Sequence, residues 1–238
     1  MTTARATTCL RVGHSIVHPG APLSQLASRL AAADWDMVEL DVLRDGDRLL
    51  VAHDPTELTG AVGIEFADAL RALAELAPPS VRIDVDLKTT GYEHEVAAAI
   101  AEAGLGERTL VSTMERSSLA LLRRAAPGLA LGLSVPLARR NYLASRWTRP
   151  GAYAMLAYLR RVLPTRVAEV LAAGEADAIM AHWGVVTERL VDAVVGRGAE
   201  LFVWTVDDPR RLPRLLSLGV TGVITNEPQL FSAGGPSG

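Results

Sequence analysis

The feature that most constrains this chain is an alternation repeated from one end to the other. Short β-branched or apolar runs take turns with Ala/Leu/Arg stretches of helical period. The strand candidates are Cys9–His14, Asp36–Val42, Val81–Lys88, Arg108–Thr113, Leu129–Val135, Asp177–His182, Leu201–Val206 and Thr221–Thr225. Between them lie helical stretches at Leu23–Ala33, Phe66–Leu76, Glu93–Ala103, Arg116–Ala126, Thr187–Arg197 and Pro209–Leu218, and a short extended piece, Arg48–Ala52, precedes the second of these. Gly104, Gly174, Gly198 and Gly219 stand where helices should end, the usual place for a left-handed cap. An α/β chain of this rhythm predicts a single (β/α)8 TIM barrel rather than an open doubly wound sheet. Barrels commonly reach about 200–250 residues as one unit, so residues 1–231 read as one domain and Ser232–Gly238 as a disordered tail.

Composition narrows the function classes. With 24 basic against 27 acidic side chains the net charge is −3, so no global field draws the chain to nucleic acid, and none is expected as a partner. Cys9 is the only cysteine, which excludes an internal disulfide, a thiolate zinc cage and an iron–sulfur cluster. Any metal must therefore sit on oxygen or imidazole ligands. No glycine-rich phosphate loop and no apolar run of about 18 residues occurs, which predicts a soluble, cytoplasmic protein without a nucleotide cofactor.

Alternate residues of a barrel strand face inward, and functional side chains gather at the C-terminal strand ends. In the third strand Arg82, Asp84, Asp86 and Lys88 share one face while Val81, Ile83, Val85 and Leu87 share the other. The apolar face belongs under the helices, so four ionisable groups point into the barrel, where they must be paired or bind something. The second strand repeats the pattern, with Glu39 and Asp41 inward. If Glu39, Asp41 and Asp86 converge, their three charges are balanced by Lys88 and one divalent cation. Oxygen ligation suits Mg2+ first and Ca2+ second. His14 ends the first strand and His53, with Asp54, follows the short run after the second. Two imidazoles across a scissile bond can act as base and acid at neutral pH.

These residues resemble the glycerophosphodiester phosphodiesterases, within the superfamily of phospholipase C-like phosphodiesterase barrels. The likeness lies in Gly13-His14, Glu39-Leu40-Asp41-Val42, His53-Asp54, Asp86-Leu87-Lys88, Val203-Trp204-Thr205-Val206 and the stretch Gly219 to Pro228. It implies Glu39, Asp41 and Asp86 as metal ligands, His14 and His53 as general acid and base, Lys88 on the phosphate and Trp204 as a pocket wall. The implied reaction is metal-dependent hydrolysis of a glycerophosphodiester to an alcohol and glycerol phosphate, through water or through a cyclic phosphate. Three departures stand out. Ser15 follows the first histidine where the family usually has arginine, and no Pro-Glu-Asn signature comes after it. Asp86 replaces a usual glutamate, and Asp-x-Lys there also looks like the sphingomyelinase D branch. Only some 30 residues separate His53 from the third strand, too few for the capping insertion many relatives carry.

Other readings stay open beside these. Asp84 can pair with Arg82 inside the barrel. His14 and His53 can each be structural histidines, His18 and His182 read as bystanders, and Trp204 can be core packing. The stretch 136–163 holds six arginines, Tyr142, Trp147, Tyr153 and Tyr158 with no acidic residue. It can be a solvated surface helix pair, or it can meet a membrane and bring a lysophospholipid to the site. A barrel that binds phosphate esters without turnover and a metal-dependent isomerase or aldolase on the same barrel are the remaining alternatives.

Overall fold

The computed structural model describes residues 9–58, 63–136 and 149–231, without the side chains of 149–153. The predicted tail and the aromatic and basic positions at 139, 140, 142, 146 and 147 lie outside the described residues. The strands are β1 (Leu10–Val17), β2 (Met37–Asp45), β3 (Arg48–Val51), β4 (Arg82–Leu87), β5 (Thr109–Thr113), β6 (Ala130–Val135), β7 (Ala178–His182), β8 (Glu200–Trp204) and β9 (Gly222–Thr225). Eight of them run parallel in the order β1-β9-β8-β7-β6-β5-β4-β2, and β1 pairs with β2 to close the barrel. The ninth, β3, is an antiparallel flap on the outer edge of β2, with Val42 opposite Val51 and Asp45 opposite Arg48. This is the TIM barrel the alternation predicts.

The helices are α1 (Leu26–Leu30), α2 (Phe66–Leu76), α3 (Glu93–Glu102), α4 (Arg116–Ala125), α5 (Arg149–Ala172), α6 (Glu188–Val194) and α7 (Leu212–Leu218). Helix α2 shows why they form. Phe66, Ala69, Leu70 and Leu73 fall at i, i+3, i+4 and i+7 and are all buried, so one apolar stripe packs on the barrel. Thr187 starts α6 by accepting a hydrogen bond from the Leu190 N–H at 3.2 Å. Gly104, Gly174, Gly198 and Gly219 all take positive φ, from 67° to 80°, as their places at helix ends require. Two expectations change. The stretch expected as one helix over Leu23–Ala33 is a short 3-10 turn, Leu23–Gln25, followed by five helical residues. The expected surface helix pair is, where described, the single 24-residue helix α5 running through Pro164 and buried along Leu163, Val167 and Val170.

The core has two layers. Val38, Leu40, Val42, Ile83, Val85 and Leu87 face outward into the layer beneath the helices, as their alternation requires. Val12, Met37, Leu110, Met180, Phe202 and Ile224 fill the barrel interior. Phe202 has no exposed surface and occupies the space that a side chain at Gly222 would need, since a Cβ there would stand 2.7 Å from its ring. Burying such a ring stabilises the fold by roughly 1.5–3 kcal/mol. At the N-terminal end of the barrel Arg82 forms a two-pronged pair with Glu200, at 2.6 and 2.7 Å. Arg82 therefore does not take the expected partner, Asp84.

Candidate active site

The parallel register sets Glu39 beside Asp84 and Asp41 beside Asp86. All four carboxylates share the inner face, so the alternation of two adjacent strands builds one acidic wall toward the C-terminal mouth. One oxygen each from Glu39, Asp41 and Asp86 lies within 4.8 Å of the others. Divalent ions hold oxygens at about 2.0–2.6 Å, so two oxygens on one ion are at most about 5 Å apart, and this set fits.

The electrostatics point the same way. Glu39 and Asp41 are 4% and 3% exposed. Burial, and then the neighbouring Asp41, push Glu39 well above the usual carboxylate range. Burial would raise Asp41 too, but Lys88 and a hydrogen bond with Glu39 together outweigh it and hold Asp41 below its ordinary value. The two carboxyls of the pair are thus shifted in opposite directions. Lys88 Nζ lies 2.5 Å from Asp41 Oδ1 and 2.5 Å from Asp86 Oδ2. Burial would weaken that ammonium, but Asp86, Asp41 and Glu39 together raise its pKa. Lys88, expected on the phosphate, is thus clasped between two of the carboxylates. Beneath them Asp84 is 1% exposed, and burial with the Asp86 charge lifts it to about 8. One ammonium cannot balance Glu39, Asp41 and Asp86, and one ammonium with a divalent cation would.

His14 is held from behind. Asp207 Oδ2 accepts a hydrogen bond from Asn226 Nδ2 at 2.9 Å. A carboxylate only accepts, so the Asn226 amide is oriented with Oδ1 toward His14, whose Nδ1 lies 2.8 Å away. Nδ1 is therefore the donor. Nε2 is left as the free lone pair of the neutral ring, 4.0 Å from Glu39 Oε2. Asp207 also accepts from the Asn226 N–H and the Thr225 hydroxyl. Burial would raise its pKa, but the Asn226 bonds outweigh that and lower it. No local pattern singles out Asp207, and Asn226 stands out only as part of the stretch Gly219 to Pro228.

Ser15 explains the irregular end of β1. It takes φ 46°, a left-handed conformation uncommon outside glycine, and the β1–β2 register shifts between Gly13 and Val17. The turn aims the Ser15 N–H at Glu39 Oε2, at 2.6 Å, and its hydroxyl at Asp41 Oδ2, at 3.3 Å.

His53 is exposed in the loop after β3, with its own N–H donated to Glu57 Oε2 at 2.8 Å. His53, Asp54 and Glu57 also bring ligand atoms within 4.8 Å of one another, but this group is largely exposed and its carboxylates cap loop N–H groups. A cavity of about 350 Å3 runs from Asp41 past Ser15 and His18 to His53. A second, of about 560 Å3, contains His14, Ser15, His18, Arg29, His53 and Asn226 among its lining residues. The two share Ser15, His18, His53 and Glu57, so they form one cleft. His14 and His53 are thus brought together with the carboxylates.

Trp204 stands at the end of β8, and neither cavity includes it among its lining residues. It packs against the inner core, donates Nε1–H to the Met180 carbonyl at 3.0 Å and meets the edge of His182 at 5.2 Å between centroids. His182 accepts the Gly184 N–H on Nδ1. Burial, and then Arg211, push its pKa down to about 4, so the ring is neutral.

Fold and site together define a (β/α)8 barrel with an acidic, cation-fitting site at the C-terminal strand ends. A family model described as the glycerophosphoryl diester phosphodiesterase family matches residues 64–230, and the chain belongs to that family. Asp86, Lys88 and Trp204 lie inside the matched stretch, while His14, Glu39, Asp41 and His53 precede it. A glycerophosphodiester phosphodiesterase of Caldanaerobacter subterraneus is 26% identical over 58% of this chain and 47% of its own length. Glycerophosphodiester phosphodiesterase GDPD4 of Arabidopsis thaliana is 25% identical over 82% of this chain and 63% of its own. The chain thus spans about half to two thirds of the length of these curated relatives. In fold it is similar to a glycerophosphodiester phosphodiesterase from Parabacteroides distasonis, with TM-score 0.69 and 16% identity over 95% of this chain and 98% of that one. It is also similar to an Oleispira antarctica phosphodiesterase solved with the product sn-glycerol-3-phosphate, with TM-score 0.66 and 17% identity over 94% and 95%.

Proposed function

We propose that the protein is a metal-dependent phosphodiesterase that hydrolyses glycerophosphodiesters to an alcohol and glycerol phosphate. The observation that carries this reading is the convergence of Glu39, Asp41 and Asp86 beside a histidine whose tautomer is fixed with Nε2 on their side. Glu39, Asp41 and Asp86 would hold the ion, Mg2+ before Ca2+, and when bound it supplies charge stabilisation for the phosphoryl oxygens. His14 accepts the proton of the attacking hydroxyl, of water or of the glycerol itself, on Nε2. The resulting imidazolium is stabilised through Nδ1–H by Asn226 and the Asp207 carboxylate behind it. His53, on the wall of the same cleft with Asp54 4.0 Å from its Nδ1, donates a proton to the departing alcohol oxygen. Lys88 has three N–H donors, two of them directed at Asp41 and Asp86, and the third is available to the phosphate.

One observation favours a lipid substrate as the second reading. Met155 and Tyr158, one helical turn apart on α5, are 56% and 53% exposed in a segment rich in arginine. A lysophospholipid or sphingomyelin-like diester would seat its chain there. Among the described residues no helix is long and apolar enough to cross a membrane. Turnover of glycerophosphocholine and lysophosphatidylcholine, side by side with Mg2+, separates the readings. Preference for the first supports the small substrate, preference for the second supports the lipid. Inertness of both leaves a binding barrel.

The acid and base assignment is tested with His14→Ala and His53→Ala on a natural diester and on one with an activated leaving group. Loss at His53 should shrink on the activated diester and loss at His14 should not. Equal losses on both substrates overturn the assignment.

A further inference from the structure

Arg29 lies on α1, outside the carboxylate and histidine set. All three nitrogens of its guanidinium are shielded from solvent, and none makes a hydrogen bond. Among the described residues no carboxylate pairs with it, and burial is the one influence on its pKa, which it lowers. A guanidinium stays charged in a protein and carries five N–H donors. Leaving such a group buried and unpaired is costly, and a fold keeps it where something else supplies the acceptors. The position says what that is. Arg29 lines the 560 Å3 cavity with His14, His53 and Asn226, and through Ser15 and His18 this cavity joins the one reaching Asp41. Glu57 faces the same space but gives its Oε2 to the His53 N–H. His18 also faces it, with a pKa lowered by burial and then by Arg29 itself.

We infer that Arg29 binds the anionic phosphoryl oxygens of the ligand in this cleft, turning its guanidinium toward the cavity about its terminal torsions when a phosphodiester or phosphate monoester enters. The planar fork matches two phosphoryl oxygens at once, which Lys88 as a point charge cannot do. The inference rests on the phosphodiesterase reading for the substrate and not for the binding of phosphate as such.

The test is binding of inorganic phosphate and of sn-glycerol 3-phosphate to the full chain, followed by melting temperature against a chloride control, with Arg29→Met and Arg29→Lys beside the wild type. The wild type should melt higher with phosphate than with equal ionic strength of chloride. Arg29→Met should melt no lower than wild type without phosphate, because an unpaired buried charge is gone, and should lose about tenfold or more of phosphate affinity. Arg29→Lys should fold as wild type and bind more weakly, and on a hydrolysed diester both variants should raise KM more than they lower kcat. Wild-type phosphate affinity in Arg29→Lys, or no phosphate response in the wild type, overturns the inference, and so does a collapse of Arg29→Met while Arg29→Lys binds normally. A chain that binds phosphate through Arg29 yet cleaves no diester overturns the function and keeps this site. A chain that cleaves diesters with KM unchanged in both variants keeps the function and loses this site.

Discussion

Asp207 grips Asn226 twice, accepting from the backbone N–H on Oδ1 and from the side-chain amide on Oδ2, both at 2.9 Å. The second bond decides which end of the amide meets His14, and so which ring nitrogen is free. Asp207→Asn can present an N–H to the Asn226 amide and let it turn over, presenting a donor to His14 Nδ1. The expected result is a drop in kcat of about 10–100-fold with little change in KM, the scale seen when the support of a functional histidine is removed. Wild-type kcat in this variant would detach Asp207 from the chemistry.

Burial and the neighbouring Asp41 push Glu39 well above the usual carboxylate range, so Glu39→Gln, an uncharged isostere, should leave the stability of the chain without added metal near that of wild type. The wild type should gain stability with Mg2+, by about 2.7 kcal/mol at a hundredfold excess over Kd, and the variant should gain far less. Melting curves with and without metal and chelator check both halves. Equal stabilisation of wild type and variant would move the ion away from Glu39.

His182 gives the fold a pH dependence separate from the site. Its pKa is near 4 in the folded chain and near 6.5 when unfolded, so between these values the unfolded chain binds more protons. Stability from this group is therefore complete above about pH 6.5 and is lost as pH falls toward 4. The full shift would correspond to roughly 3 kcal/mol, which solvent around a partly exposed ring reduces to about 1–2. Gln in its place can still accept the Gly184 N–H, and His182→Gln should flatten the stability profile between pH 4 and 6.5. An unchanged profile in denaturant titrations would assign the acid sensitivity elsewhere.

The inward row of β4 was legible because period-2 alternation sorts Arg82, Asp84 and Asp86 from Ile83, Val85 and Leu87 without knowledge of the neighbours. Helix α2 was legible to the residue, since its apolar stripe and its length coincide. Partners were not. Arg82 finds Glu200 118 positions away, and His14 finds Asn226 212 positions away, across a closure between the first and last strands that no local pattern encodes. Position 15 shows the same limit. The serine there reads as a missing guanidinium, but the fold turns its N–H onto Glu39 and sets Arg29, from a helix only five residues long, on the wall of the same cleft.

Gly222 tests the packing that carries the site. A methyl group there would meet the Phe202 ring at 2.7 Å in a filled barrel interior. Gly222→Ala should cost about 1–3 kcal/mol by overpacking, read as a lower denaturant midpoint at unchanged slope. Wild-type stability would mean that the ring has room to retreat.

The three converging carboxylates are proposed to hold a metal ion for cleaving a glycerophosphodiester, and this is measured as release of glycerol phosphate from glycerophosphocholine while Mg2+ is titrated, with Asp86→Ala and chelator as controls. The expected result is turnover that saturates with Mg2+, stops with chelator and falls at least about a hundredfold in the variant, as removal of a major electrostatic contribution does. Turnover that is indifferent to metal, or that survives in Asp86→Ala, would contradict it.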